Sequence, residues 1–128
     1  MDRKISYMIL SLLLCSIFLV GCVSRHMIGT PISESKLYGL QVGKTTRAKV
    51  FELFGSPYKT ESNNGGQSLT YVYAESYSMM SGVYNERKDK ADILNILLNS
   101  DGIVTDYSFS KGVPIPEDLE LKFQTPVP

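Results

Sequence analysis

The sequence contains few of the residues that cross-link a fold or carry out catalysis. Its 128 residues include two cysteines, one histidine and no tryptophan. Lysine plus arginine and aspartate plus glutamate both number 13, so the formal net charge is zero. A nucleic-acid-binding domain needs a basic patch or stripe, and this balanced sequence has none, so we expect no nucleic-acid partner. No apolar run reaches the roughly 20 residues that a membrane-spanning helix needs.

The N-terminal segment is the first feature with a specific chemical meaning. Residues 2–4 form a small basic start, and residues 5–20 are apolar apart from three serines. Such a start, followed by a short apolar stretch and a small residue, is typical of a secretory signal peptide. The stretch ends in Leu19-Val20-Gly21-Cys22, which matches the lipobox of bacterial lipoprotein signals. An uncleaved membrane anchor is the alternative, but the apolar run is short for it.

The lipobox implies cleavage between Gly21 and Cys22, with a diacylglycerol on the Cys22 sulfur and an N-acyl lipid on its amino group. With Cys15 removed in the signal and Cys22 lipidated, no thiol remains for a disulfide or a zinc site. We therefore expect no other cofactor and no metal. The next residue is Val23 rather than the aspartate that favours inner-membrane retention. The expected location is the periplasmic face of the outer membrane, with the protein bound through its lipid anchor.

The chain divides into four predicted segments, and one of them is long enough for a small domain. They are a lipoprotein signal peptide (1–21), a tether (22–31), an α+β domain (32–111) and a proline-rich tail (112–128). The tether shows no hydrophobic period. The tail contains four prolines, and we expect either a disordered end or a segment that lies on the domain or a partner. Its apolar side chains for such a contact are Leu119, Leu121 and Phe123.

Two helices are predicted at the start of the domain. Residues 32–40 have the composition of a short first helix. The second helix has Thr45 or Thr46 as its N-cap and runs to about Phe54, where Gly55 ends it. Its apolar residues recur at spacings of three and four and therefore predict one buried face, formed by Ala48, Val50, Phe51 and Phe54.

Three strands are predicted after the helices. Leu69–Ala74 is rich in aromatic and β-branched residues, which is typical of a strand. Residues 92–98 are apolar and ambiguous by periodicity, but Asp101-Gly102 between them and the alternating segment 103–110 favours a hairpin. Two polar stretches are predicted to be exposed, residues 61–67 as a loop and residues 84–90 as a hairpin end. The order helix, helix, strand, strand, strand predicts an α+β fold.

No complete set of catalytic residues is present. His26 lies four residues after Cys22 and is expected to be a solvated linker residue. The Gly43-Lys44-Thr45 sequence resembles the end of a phosphate-binding loop, but that pattern needs glycine at position 38, which is tyrosine. Asp92 and Asp106 lie in apolar stretches and are expected on the outward face of the sheet. We therefore expect neither an enzyme nor a small-molecule substrate.

Tyrosine is frequent, and four of the eight tyrosines lie in or near the first predicted strand. Tyrosine combines an apolar ring with a polar tip, which suits both sheet packing and protein interfaces. Packing within the sheet is the simpler interpretation. The alternative is a surface for a protein partner, formed by Tyr71, Tyr73 and Tyr77.

The segment Leu40–Pro57 resembles a known signature. Its Leu40, Gly43, Thr45, Val50, Phe54, Gly55 and Pro57 are similar to the signature of the SmpA/OmlA (BamE-like) outer-membrane lipoprotein family. The later Tyr71-Val72-Tyr73 and the apolar run before Asp101-Gly102 resemble that family's strands, so the resemblance covers about residues 32–111. The charged stretch 86–90 and the tail after residue 112 do not align.

The resemblance implies two short N-terminal helices packed on a three-stranded antiparallel sheet, as also in modules like the β-lactamase inhibitor protein. It further implies a non-catalytic scaffold or accessory subunit, with an envelope protein as partner, in a β-barrel assembly complex of the outer membrane. A periplasmic inhibitor or immunity-type binding module is the alternative function. A small envelope hydrolase is a third class, which the missing catalytic set disfavours.

Overall fold

The structure is a computed structural model that describes residues 2–17, 21–81 and 84–119. It is α+β, which confirms the predicted class, and its five strands form an open antiparallel sheet. The chain divides into two compact units. The first unit contains Met1–Arg25 and Tyr77–Lys88, and the second contains His26–Ser76 and Asp89–Pro128.

The helices and strands follow one another along the chain in a simple order. The helices are α1 (Arg3–Ile17), α2 (Glu34–Leu37) and α3 (Arg47–Phe54), and residues 117–119 are also helical. The strands are β1 (Cys22–Ile28), β2 (Lys59–Asn63), β3 (Gly66–Ser81), β4 (Tyr84–Asn99) and β5 (Val104–Val113). The strand order is β1-β3-β4-β5, and β2 also pairs with β3.

The sheet has two more strands than the three that the sequence predicts. Strand β1 occupies most of the segment expected to be a tether, and β2 begins before the predicted loop at 61–67 and enters it. Every residue of β2 is exposed, so the strand carries no alternation of apolar and polar side chains. It forms because the turn at 64–65 folds it back on β3, from Lys59 opposite Thr70 to Asn63 opposite Gly66.

The first unit contains α1 and the Tyr77–Lys88 part of β3 and β4. Helix α1 covers much of the predicted signal peptide, and its apolar side chains between Ile5 and Leu14 are exposed, with Leu12 at 77%. Among the helices that the structure describes, none combines the length and apolar character needed to cross a bilayer. The charged stretch predicted as a hairpin end belongs to β4, where Lys88 Nζ lies 2.9 Å from Glu86 Oε1.

The second unit has an apolar cluster in which α3 packs on the sheet. Thr46 caps the helix, because its Oγ1 accepts a hydrogen bond of 3.3 Å from the Lys49 amide, and Gly55 ends it at a φ of 77°. Val50 is fully buried, whereas Ala48 is exposed, so the predicted apolar face is wrong at that position. The buried members of this first cluster are Leu40, Val50, Leu69, Tyr71, Leu94, Ile96, Leu98 and Val104.

A second apolar cluster contains part of the proline-rich tail. Val72 and Ala74 alternate with the residues of the first cluster along β3, so their side chains point to the opposite face of the sheet. Ile115 and Leu119 pack there and are 7% and 1% exposed. The tail therefore lies on the domain as far as Leu119. The other predicted tail contacts, Leu121 and Phe123, lie outside the described residues.

Candidate functional site

The predicted lipid-attachment residue lies at a boundary between secondary-structure elements. Helix α1 ends at Ile17, Gly21 has no regular structure, and Cys22 is the first residue of β1. The Cys22 side chain is an exposed free thiol, and Gly21 is exposed too. Leu19 and Val20 of the lipobox lie outside the described residues. Both residues of the predicted cleavage bond are therefore exposed, and the Cys22 thiol is accessible to a modifying reagent.

Tyr71, predicted as a partner contact, is a core residue in this structure. Its side chain is 5% exposed, its ring packs at 5.6 Å from the Phe54 ring, and its hydroxyl donates a hydrogen bond of 3.1 Å to the Gly55 carbonyl. Tyr71 therefore connects the end of α3 to the sheet and offers little surface to a partner. Burial raises the pKa of Tyr71 from 10.0 to about 12, and the nearby Arg47 guanidinium opposes part of this increase.

The raised pKa of Tyr71 predicts a loss of stability in alkali. A folded-state pKa above the unfolded value of 10.0 means that folding favours the protonated phenol. The contribution of the protonated Tyr71 phenol to the free energy of unfolding is complete below pH 10 and is lost as the pH rises toward about 12. We expect Tyr71→Phe to cost about 1 kcal/mol near pH 8, because the Gly55 carbonyl loses its donor. Between pH 10 and about 12 its stability should fall less steeply than that of the wild type.

Denaturant unfolding at several pH values measures this effect. The matched control is Tyr38→Phe, because the Tyr38 side chain is 86% exposed and has no buried hydroxyl to lose. If the free energy of unfolding falls equally steeply with alkaline pH in the wild type and in Tyr71→Phe, then ionisation of Tyr71 does not link folding to pH.

The other two predicted contact tyrosines are partly buried. In the second unit, the Tyr73 hydroxyl lies 3.2 Å from Glu75 Oε2 and 3.5 Å from Met27 Sδ. Tyr77 belongs to the first unit and is also partly buried. Both side chains keep some accessible surface, and their role as partner contacts stays a prediction.

The two aspartates considered for acid–base chemistry bind backbone amides. The Asp92 carboxylate accepts a hydrogen bond of 2.8 Å from the Gly112 amide, and the Asp106 carboxylate accepts one of 2.8 Å from the Tyr107 amide. His26 is exposed in β1. Within residues 2–17, 21–81 and 84–119, no group of three or more His, Cys, Asp and Glu side chains is placed to hold a metal ion.

Two concave regions of the second unit have a largely apolar lining. One, of about 240 Å³, has walls from the chain after β1, the end of α3 and β3, including Ile32, Phe54 and Tyr58. The other, of about 380 Å³, is an open groove between α2 and β5, which we call the β5 groove. Its lining residues are Glu34, Leu37, Tyr38, Tyr107, Phe109 and Lys111. Sequence reasoning missed the exposed aromatic residues Tyr38 and Tyr107.

The comparisons with known proteins add no identification. No protein-family model matches the chain, and no curated protein sequence matches it.

Proposed function

We propose that this chain is a lipid-anchored lipoprotein on the periplasmic face of the outer membrane. The observation that carries the proposal is the Leu19-Val20-Gly21-Cys22 sequence after a short apolar stretch, with an exposed thiol at Cys22. A diacylglycerol together with an N-acyl chain supplies more than one acyl chain, whereas a single acyl chain binds a bilayer only reversibly. The anchor therefore holds the domain at the membrane surface without a spanning helix.

The domain acts as a non-catalytic scaffold or accessory subunit of an envelope protein complex. The resemblance to the SmpA/OmlA (BamE-like) family supports this role, and two of its signature residues have clear structural functions here. Gly43 and Gly55 have φ angles of 79° and 77°, which favour glycine, and they lie on either side of α3. The partner we propose is an envelope protein of the β-barrel assembly machinery, contacted through accessible side chains such as Tyr77.

Co-purification tests the scaffold role. Cells that express the full chain with an affinity tag are labelled with palmitate and extracted in mild detergent. We expect a palmitate-labelled chain that retains an envelope protein, and we expect Tyr77→Ser to weaken retention. The matched control is Tyr38→Ser, which changes an exposed tyrosine outside β3. A labelled chain that is recovered alone would argue against a scaffold.

The same experiment separates the alternative function. An inhibitor or immunity-type module would have a soluble target, which binds the domain whether or not it carries lipid. Retention of a soluble secreted protein by an unlipidated chain would therefore favour the inhibitor over the scaffold.

A further inference from the structure

Strand β5 forms an exposed edge of the sheet. Among the described strands, β5 pairs with β4 only. An edge strand presents unpaired backbone groups that another strand can bind. The start of this edge is covered by the chain before α3, because the Val104 amide donates to the Thr45 carbonyl and the Val104 carbonyl accepts from the Gly43 amide.

The accessible part of this edge is a short stretch of β5 with one residue at its centre. It begins after Val104 and ends before Gly112, where the chain turns at a φ of 63° and the register with β4 shifts. Ser108 is the midpoint of the stretch between these two limits, and its side chain is exposed. Antiparallel pairing of two identical strands about a two-fold axis places the central residue opposite itself.

The side chains along this stretch are complementary to those of a second copy. With Ser108 opposite Ser108, Tyr107 of each copy lies opposite Phe109 of the other, on the face of the sheet that carries the β5 groove. Cross-strand aromatic pairs of this kind stabilise antiparallel sheets. Tyr107 is 37% exposed, so its ring is accessible for such a pair.

The charges also favour the antiparallel arrangement. Asp106 lies near one end of the stretch and Lys111 at the other. With Ser108 opposite Ser108, Asp106 lies opposite Ser110 of the second copy and Lys111 lies opposite Thr105, so like charges are kept apart, whereas parallel pairing would bring them together.

We propose that β5 binds a second copy of this chain through antiparallel edge pairing centred on Ser108, which joins two sheets into one. The Asp106 carboxylate holds the Tyr107 amide in the single chain, and a carbonyl of the incoming strand replaces it. The register with β4 shifts by one residue between Val104 and Asp106, so the alternation of the strand is reversed beyond this point. Tyr107 and Phe109 therefore direct their amides to the new partner, and Ser108 directs its amide to β4. The two Ser108 residues then form a non-hydrogen-bonded pair, with Cα atoms about 4.5 Å apart.

Disulfide trapping in the full chain tests this register. Two cysteines are joined readily when their Cα atoms are about 4.4 to 6.8 Å apart, which the central pair satisfies. The matched control is Ser110→Cys, another exposed serine of β5. In the proposed register Ser110 lies opposite Asp106 of the second copy, four residues along the strand from the Ser110 of that copy. The two Ser110 residues are therefore roughly 14 Å apart.

We expect diamide to link Ser108→Cys into a homodimer about tenfold more than Ser110→Cys, because only the central pair meets the disulfide geometry. The wild-type chain, run alongside, shows any linkage through the native cysteines. Adding Tyr107→Lys to Ser108→Cys should lower the homodimer to the Ser110→Cys level. Equal linkage of both serine variants, or linkage of Ser108→Cys mainly to a different protein, would overturn the proposal.

Discussion

Replacing Cys22 by serine is expected to remove palmitate labelling completely and to leave the chain at its precursor length. The reason is chemical, because the hydroxyl of serine is a far weaker nucleophile than a thiol and takes no diacylglycerol. The predicted cleavage site lies in the same lipobox, so we expect the loss of Cys22 to prevent cleavage as well and to leave the signal segment 1–21 attached. Metabolic labelling followed by gel electrophoresis measures both effects in one experiment, and fractionation of the cells reports the location.

Cys15→Ser is the matched control for this experiment. It removes the other cysteine, which lies in the apolar stretch of the predicted signal and outside the lipobox. We expect Cys15→Ser to be labelled and shortened like the wild type. A Cys22→Ser chain that still incorporates palmitate, or that is cut to mature length, would contradict the proposed anchor.

Gly66→Ala is expected to destabilise the fold on the order of 3 kcal/mol, because overpacking against backbone has few ways to relax. A Cβ atom at Gly66 would lie 1.8 Å from the Leu98 carbonyl oxygen and 2.9 Å from its carbon. The start of β3 and the end of β4 would have to separate. Leu98 itself is 4% exposed in the first apolar cluster, so the separation would disturb the core.

The neighbouring glycine provides the control for Gly66. A Cβ atom at Gly65 would have no heavy atom within 4 Å, and Gly65 has no positive φ. We expect Gly65→Ala to change stability by less than about 0.5 kcal/mol, as exposed substitutions usually do. Thermal unfolding followed by circular dichroism compares the two, and a shift of about 10 to 20 °C separates them for a domain of this size. Equal midpoints for the two variants would show that the close approach at Gly66 is not maintained in solution.

The helix that the sequence predicts best is defined by local signals. Thr46 and Gly55 act on their immediate neighbours, so α3 begins and ends where the sequence predicts. Strands β1 and β2 carry no such signal, because their side chains are almost all exposed and their hydrogen bonds come from β3. Pairing of this kind depends on the tertiary arrangement, and a hydrophobic pattern does not encode it.

The candidate sites also differ in whether a local sequence pattern predicts them. Cys22 is predicted from the sequence because the lipobox is a contiguous chemical pattern. The burial of Tyr71 depends on the position of α3, and Tyr71 and Tyr73 look equivalent in the alternating pattern of β3. The β5 groove brings together Tyr38 and Tyr107, which lie far apart in the sequence, so no local pattern could have identified it.

The late position of Leu119 has a consequence for how the polypeptide folds during its synthesis. Synthesis proceeds from the N-terminus, and Val72 and Ala74 therefore emerge before Leu119, which packs in the same cluster. Until Leu119 has emerged, the second apolar cluster lacks one of its fully buried side chains. A polypeptide that stops before Leu119 is therefore expected to leave this face of the sheet partly uncovered.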